Sequence, residues 1–167
     1  AGTIGNVAST SFFPSKNLGC YGDGGAIFTN DDALAHKIRG IVNHGMYERY
    51  HHDVVGVNSR LDSIQAVVLD AKLPRLDAYN KARQLAARKY NKAFKGETNI
   101  ITPIGNSSCE GICENCDCHV FHQYTLRVKG VERDALVSYL NENGIPCGVY
   151  YPIPLHLQKA YTDSRYK

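Results

Sequence analysis

SFFPSKNLGCYGDGG, residues 11–25, is the stretch on which the reading turns. Residues 7–13 are rich in β-branched and aromatic side chains and predict a strand, which Pro14 ends because it has no N–H to pair. Gly19 to Gly25 holds four glycines in seven positions, a loop that asks for backbone angles other residues avoid. Ala26 to Thr29 predicts a second short strand. Lys16 is the one lysine between them. Loops at strand ends are where sheet proteins place reactive groups, and a lysine amine is a nucleophile when its surroundings favour the uncharged form. A surface lysine in a turn fits the same spacing, so both readings stand at this level.

Outward from that loop the pattern alternates helix and strand. Asn30 or Asp31 can cap a helix that puts Leu34, Ile38 and Ile41 on one face. Residues 44–58 have no clear period and predict a long loop. Ser59 with Asp62 three residues on resembles a capping box, followed by a helix with Leu61, Ile64, Val68 and Ala71 inside. Pro74 kinks or restarts it, and a second helix runs to about Phe94 with Leu76, Tyr79, Arg83 and Ala86 in line. Asn99 to Pro103 begins a new segment, residues 105–117 read as a polar loop, and residues 119–128 as a strand. Residues 133–143 predict a helix stopped by Gly144, residues 146–151 a strand, and residues 155–161 a short helical piece. The order is mixed α and β, with a boundary expected near Pro74.

The composition of the 167 residues bounds the function classes. With 43% hydrophobic and 21% charged residues the chain is an ordinary globular one, not disordered, collagenous or coiled-coil. A net charge of +3 is too small to point to nucleic acid, and no apolar run nears the roughly 18 residues of a membrane span. Six cysteines in a chain without a secretory signal suit a reducing, cytoplasmic setting better than a disulfide framework. The sole methionine is Met46 and the chain opens at Ala1, which predicts a processed or partial product.

The residues carry a resemblance. SFFPSKNLGCYGDGGAIFTND (11–31), NHGMYERYHHDVVGVNSRLDSIQAVVL (43–69), HVFHQYTLRV (119–128) and VYYPIPLHLQKAY (149–161) follow in the order found in the DegT/DnrJ/EryC1/StrS sugar aminotransferases. These are fold-type I enzymes dependent on pyridoxal 5'-phosphate. The resemblance implies an α/β fold that is the C-terminal part of such an enzyme. Residues 1–73 would be the end of the large mixed-sheet, cofactor-binding domain, and residues 74–167 a small C-terminal α+β domain. By the same resemblance Lys16 would hold the cofactor and, once freed, serve as the base that moves a proton. Ser11 would donate to the cofactor phosphate, and Asn58 would reach the phosphate of the neighbouring subunit. Arg60 would face the sugar substrate across the dimer, where a guanidinium suits a carboxylate. Tyr150 and Tyr151 would line the sugar pocket, with His156 nearby. The partners implied are a nucleotide-linked keto sugar, glutamate as amino donor, and a second copy in a homodimer with a shared active site, in the making of cell-surface polysaccharide sugars. Lys16 also argues against the dehydrating branch of the family, in which a histidine takes its place. The family's remaining cofactor-binding groups lie before Ala1, so the chain alone is expected to be inactive.

Each residue has a plainer role available. Ser11 can be a strand-end hydroxyl, Asn58 and Ser59 helix caps, and Arg60 a solvated first-turn residue, although a cation there opposes the helix dipole. One of Tyr150 and Tyr151 can be core, since neighbours on a strand face opposite ways. The cluster from Cys109 to His119 departs from the family pattern. Cys113 and Cys116 have the spacing of a zinc pair, but no second separated pair exists, so no metal is expected and a reduced surface loop is. The alternative is a non-catalytic fragment or a metal-binding module using Cys109 to Cys118. His51, His52 and Asp53 are adjacent on a predicted loop and expected to face solvent or substrate rather than one ion.

Overall fold

The computed structural model describes residues 2–103, 119–163 and 165. The expected loop at 105–117 and the cysteines from Cys109 to Cys118 lie outside the described residues. The chain divides into two compact units, Ala1–Gln84 and Leu85–Lys167. Among the described residues no helix is long and apolar enough to cross a membrane.

In the first unit the two expected strands, β1 (Ala8–Ser11) and β2 (Gly25–Phe28), pair antiparallel, with Ala8 opposite Phe28 and Ser11 opposite Gly25. The chain then turns into α1 (Asp32–Val42). Asp31 is the cap: its side chain accepts the Leu34 N–H at 3.0 Å. Thr29 braces the turn, its hydroxyl donating to the Asn6 carbonyl at 2.7 Å and accepting the Asp31 N–H at 3.1 Å. Leu34, Ile38 and Ile41 are all half-buried, as the spacing predicted. Asp31→Ala is expected to cost about 1 kcal/mol, the usual worth of an N-cap, read as a lower urea midpoint at unchanged slope.

The predicted loop at 44–58 contains a small hairpin, β3 (Met46–Glu48) and β4 (His51–His52). Its turns use left-handed backbone at His44, Gly45 and Tyr50, so the lack of period in the sequence reflects tight turning rather than irregularity. Tyr47 lies flat on α1 where Gly40 leaves room, since a Cβ at Gly40 would stand 2.3 Å from the ring. His36 stacks on the same ring at 4.8 Å.

The next helix, α2 (Ser63–Lys72), starts later than expected. Ser59 is no cap: its N–H is taken by the Val42 carbonyl at 2.9 Å. Asp62 is the N-cap residue and makes no side-chain capping bond. Of the four residues predicted inside, Val68 is half-buried and Leu61, Ile64 and Ala71 are exposed. Gln65, Val68, Leu69 and Lys72 are the less exposed positions, whereas Ile64 and Val67 are 75% and 68% exposed. Pro74 opens a short 3-10 turn, Leu73–Arg75, and α3 (Leu76–Ala93) follows.

In the second unit β5 (Ile100–Ile101) pairs antiparallel with β6 (Arg127–Val128). The strand predicted over 119–128 is confined to those last two residues. The Phe121 N–H turns back to His119 Nδ1 at 2.9 Å, and Phe121 has a left-handed φ of 45° that no strand tolerates. The freed aromatics gather: Tyr124 stacks on Tyr90 at 5.1 Å and its hydroxyl donates to Asn91 Oδ1 at 2.5 Å. Burial holds that phenol above its ordinary range, so it stays a donor. The helix α4 (Arg133–Glu142) ends before Gly144, which takes the left-handed φ of 71° expected of a stop. Residues 146–151 form no strand. Pro146 has no N–H to offer a pairing partner. Two 3-10 turns, Leu155–Leu157 and Lys159–Tyr161, match the short helical piece.

Candidate active site

Lys16 stands on a loop closed at its base by the backbone. The Phe12 N–H donates to the Gly24 carbonyl at 2.7 Å and the Cys20 N–H to the Phe12 carbonyl at 2.8 Å. The Lys16 N–H donates to the Phe13 carbonyl at 2.9 Å, a turn that fixes where the lysine side chain leaves. The loop folds so closely that a Cβ on Gly19 would stand 2.5 Å from the Pro14 carbonyl oxygen, which explains the glycine there. Cys20 plugs the centre, fully buried, its thiol 2.9 Å from the Phe12 carbonyl oxygen and 3.1 Å from that of Gly22. Lys16 itself is half-buried, and no hydrogen bond or ion pair ties its amine to a described residue. The amine is therefore held at its root and free at its tip.

Ser11 ends β1 on the same hairpin. Its oxygen accepts the Phe13 N–H at 3.2 Å, which leaves the hydroxyl hydrogen available to an acceptor from outside. Asn58 and Arg60 form a pair, with Arg60 Nε donating to Asn58 Oδ1 at 3.0 Å. That bond orients the Asn58 amide so that its NH2 faces away, and it leaves the outer guanidinium nitrogens as donors. The pair hangs from the end of α1: the Val57 N–H reaches the Ile41 carbonyl at 2.8 Å, the His44 N–H the Val57 carbonyl at 2.9 Å, and Asn43 bridges Asn58. Arg60 lies three residues before α2, outside its first turn, so the predicted quarrel with the helix dipole does not arise. Asn58 and Arg60 border an open concavity of about 1500 Å³ with Asp23, Ile38 and Arg39.

Tyr150, Tyr151 and His156 belong to the second unit. All three are exposed. The two tyrosine rings meet edge to face at 5.7 Å on irregular backbone rather than on opposite faces of a strand. His156 sits in the first of the two 3-10 turns. His51, His52 and Asp53 are exposed on and beside β4, and His52 Nδ1 lies 2.9 Å from the His44 carbonyl oxygen. Among the described residues no group of three or more His, Cys, Asp or Glu side chains could hold a metal ion.

Chemically the first unit carries a nucleophile and a set of donors; Asn58 and Arg60 share the concavity, and neither Lys16 nor Ser11 lines it. An amine that can form a carbon–nitrogen bond, a free hydroxyl hydrogen, an amide NH2 and a guanidinium suit a ligand with an aldehyde and a phosphate or carboxylate. The residues of the first unit therefore fit pyridoxal phosphate. Three side chains that sequence reasoning passed over also bear on the loop. Gln65 and Lys72 of α2 and Asn80 of α3 each bond to it.

An α/β scaffold presenting such a lysine is compatible with the pyridoxal-phosphate aminotransferases. Residues 1–167 match the DegT/DnrJ/EryC1/StrS aminotransferase family, and the chain belongs to it. Members of this family depend on pyridoxal phosphate. Over 164 residues the chain is 46% identical to the UDP-2-acetamido-2-deoxy-3-oxo-D-glucuronate aminotransferase of Pseudomonas aeruginosa, covering 98% of this chain and 43% of that protein. It is 45% identical over 168 residues to a protein of Geobacillus stearothermophilus named pleiotropic regulatory protein, covering 99% of this chain and 42% of that one. The crystal structure of a DegT/DnrJ/EryC1/StrS aminotransferase from Brucella abortus superimposes with a TM-score of 0.82 at 42% identity, over 96% of this chain and 40% of that one. The fold is thus that of part of a fold-type I aminotransferase, and the chain spans about two-fifths of the length of the curated relatives it matches.

Proposed function

We propose that the chain is the lysine-bearing part of an aminotransferase that moves an amino group from glutamate to a nucleotide-linked keto sugar. The observation that carries this is Lys16, rooted in a loop tied at both ends while its amine has no partner among the described residues. When bound, the cofactor supplies the electron sink that makes the substrate's C–H bond acidic. Lys16 holds the cofactor and then takes and returns the proton. Ser11 donates to the cofactor phosphate, and Asn58 donates to that of the neighbouring subunit in a homodimer with a shared active site. Arg60 receives the sugar across that dimer, and Tyr150, Tyr151 and His156 line the sugar pocket. Residues 1–73 form the end of the cofactor-binding domain and residues 74–167 the small domain. The product belongs to cell-surface polysaccharide synthesis in the cytoplasm.

The substrate proposed is a UDP-linked 3-keto-N-acetylglucosaminuronate. The activity for which the Pseudomonas relative is named supports it, as does the chemistry of a guanidinium, which suits a carboxylate. The test is to give the whole protein glutamate and UDP-linked 3-keto sugars with and without a carboxylate. One 2-oxoglutarate released per amino sugar formed is expected; no 2-oxoglutarate with any keto sugar refutes the reading. Arg60→Lys keeps the charge and loses the two-pronged geometry. It is expected to raise KM for the acidic sugar by about tenfold, in line with the worth of a charged hydrogen bond, and to leave KM for the neutral one unchanged.

A further inference from the structure

The loop that carries Lys16 is gripped from one side by polar side chains that no role assigned so far employs. Lys72 Nζ donates to the Gly19 carbonyl at 2.6 Å and lies 4.9 Å from the centre of the Tyr21 ring. Gln65 Oε1 accepts the Tyr21 N–H at 2.8 Å. Asn80 Oδ1 accepts from the amide of Asn17, the residue next to Lys16, at 2.9 Å. Gln65 and Lys72 are two turns apart on one face of α2, with Val68 and the buried Leu69 between them. One face of α2 thus holds the loop backbone by two hydrogen bonds, to the Tyr21 N–H and the Gly19 carbonyl.

The geometry makes Lys72 the critical member. Gly19 is buried, so water does not stand in readily for a lost donor to its carbonyl. The loop is too tight to yield locally, because Gly19 already lies against the Pro14 and Phe13 carbonyls. A shift of Gly19 therefore moves the segment from Pro14 onward, and Lys16 with it.

We propose that Lys72 is a positioning residue for amino transfer: its ammonium fixes the Gly19 carbonyl, and through it the point from which the Lys16 side chain reaches the reacting atoms. Gln65 does the same two residues further on, at the Tyr21 N–H. This rests on Lys16 being the reactive amine. Reaction rates fall steeply with misplacement, roughly 10²-fold for 1 Å, whereas binding of the amino donor does not depend on where Lys16 is rooted.

The experiment is a single-turnover reaction of the whole protein, loaded with pyridoxal phosphate, with glutamate, followed by the absorbance of the cofactor. Lys72→Met keeps the aliphatic stem and removes the donor; Lys72→Arg keeps a donor. Lys72→Met is expected to slow the turnover about 10–100-fold, with the glutamate concentration for half-maximal rate within about twofold of wild type. The melting midpoint and the bound-cofactor fraction should stay close to wild type, and Lys72→Arg should restore most of the rate. Should Lys72→Met not fold, Gln65→Leu is put through the same measurement, with about a tenfold loss expected. A folded, cofactor-loaded Lys72→Met or Gln65→Leu that reacts at the wild-type rate overturns the proposal. So does a loss accounted for wholly by less bound cofactor. A wild-type protein that shows no lysine-dependent cofactor absorbance fails earlier, and removes the assignment of Lys16 instead.

Discussion

Lys16→Ala should leave the whole protein folded and stop amino transfer, with turnover down by at least about 10³-fold. Two tasks are lost together: the covalent hold on the cofactor and the base that carries the proton. Acid–base catalysis by one positioned side chain contributes about 10²–10⁴-fold, and removing the covalent step adds to that. Stability should change by less than about 0.5 kcal/mol, because the half-buried amine has no bond among the described residues to give up. The loop is held by backbone bonds of Phe12, Cys20 and Lys16 that an alanine retains. The visible absorption of the lysine-bound cofactor should vanish in the variant. Turnover and spectrum matching wild type would show that Lys16 is the bystander in a turn that its spacing also allows.

Gly45→Ala should be the most damaging small substitution in the first unit. Gly45 takes a φ of 77°, and a Cβ there would stand 1.7 Å from the Val54 carbonyl oxygen. Side-chain strain in left-handed backbone costs roughly 1–3 kcal/mol, and forcing an atom into a filled space costs a similar amount. The expected loss is about 4 kcal/mol, read from urea unfolding of the whole protein. The reason it bears on function is the neighbourhood. The Gly45 N–H holds the Gly40 carbonyl at 2.8 Å, its own carbonyl takes the Asp53 N–H at 3.0 Å, and Gly56 backs directly onto it. Val57 and Ser59, on either side of Asn58, are bonded to Ile41, His44 and Val42, which directly precede Gly45 or lie within four residues of it. Any protein that survives should show a raised KM for the sugar. A Gly45→Ala variant as stable as wild type would mean the hairpin is not packed as described.

The strand–turn–strand around Lys16 and the cap of α1 were legible because their signals are local. Pro14, the glycines and Asp31 act on their own backbone. The start of α2 was not, because Ser59 is captured by the Val42 carbonyl, a partner 17 residues back. The inner face of α2 was misjudged for a related reason. Counting apolar residues chose Leu61, Ile64, Val68 and Ala71, yet the side facing the lysine loop must satisfy a carbonyl and an N–H and so carries Gln65 and Lys72. The strand predicted at 146–151 is absent because strand propensity is local and pairing needs a neighbour. Within the candidate site, the Lys16 loop could be read from its own spacing, Asn58 and Arg60 came from the family pattern, and the bond between those two from neither. The grip of Lys72 on Gly19 spans 53 residues and leaves no trace in either.

The contrast between the root and the tip of Lys16 divides its motion in time. A side chain with four single bonds and no bonded partner changes rotamer in picoseconds to nanoseconds, while opening a loop takes nanoseconds to microseconds or longer. Phe12, Cys20, Tyr21 and Gly19 hold the backbone by hydrogen bonds on both sides. The unbonded amine can therefore change rotamer many times without the chain beneath it moving.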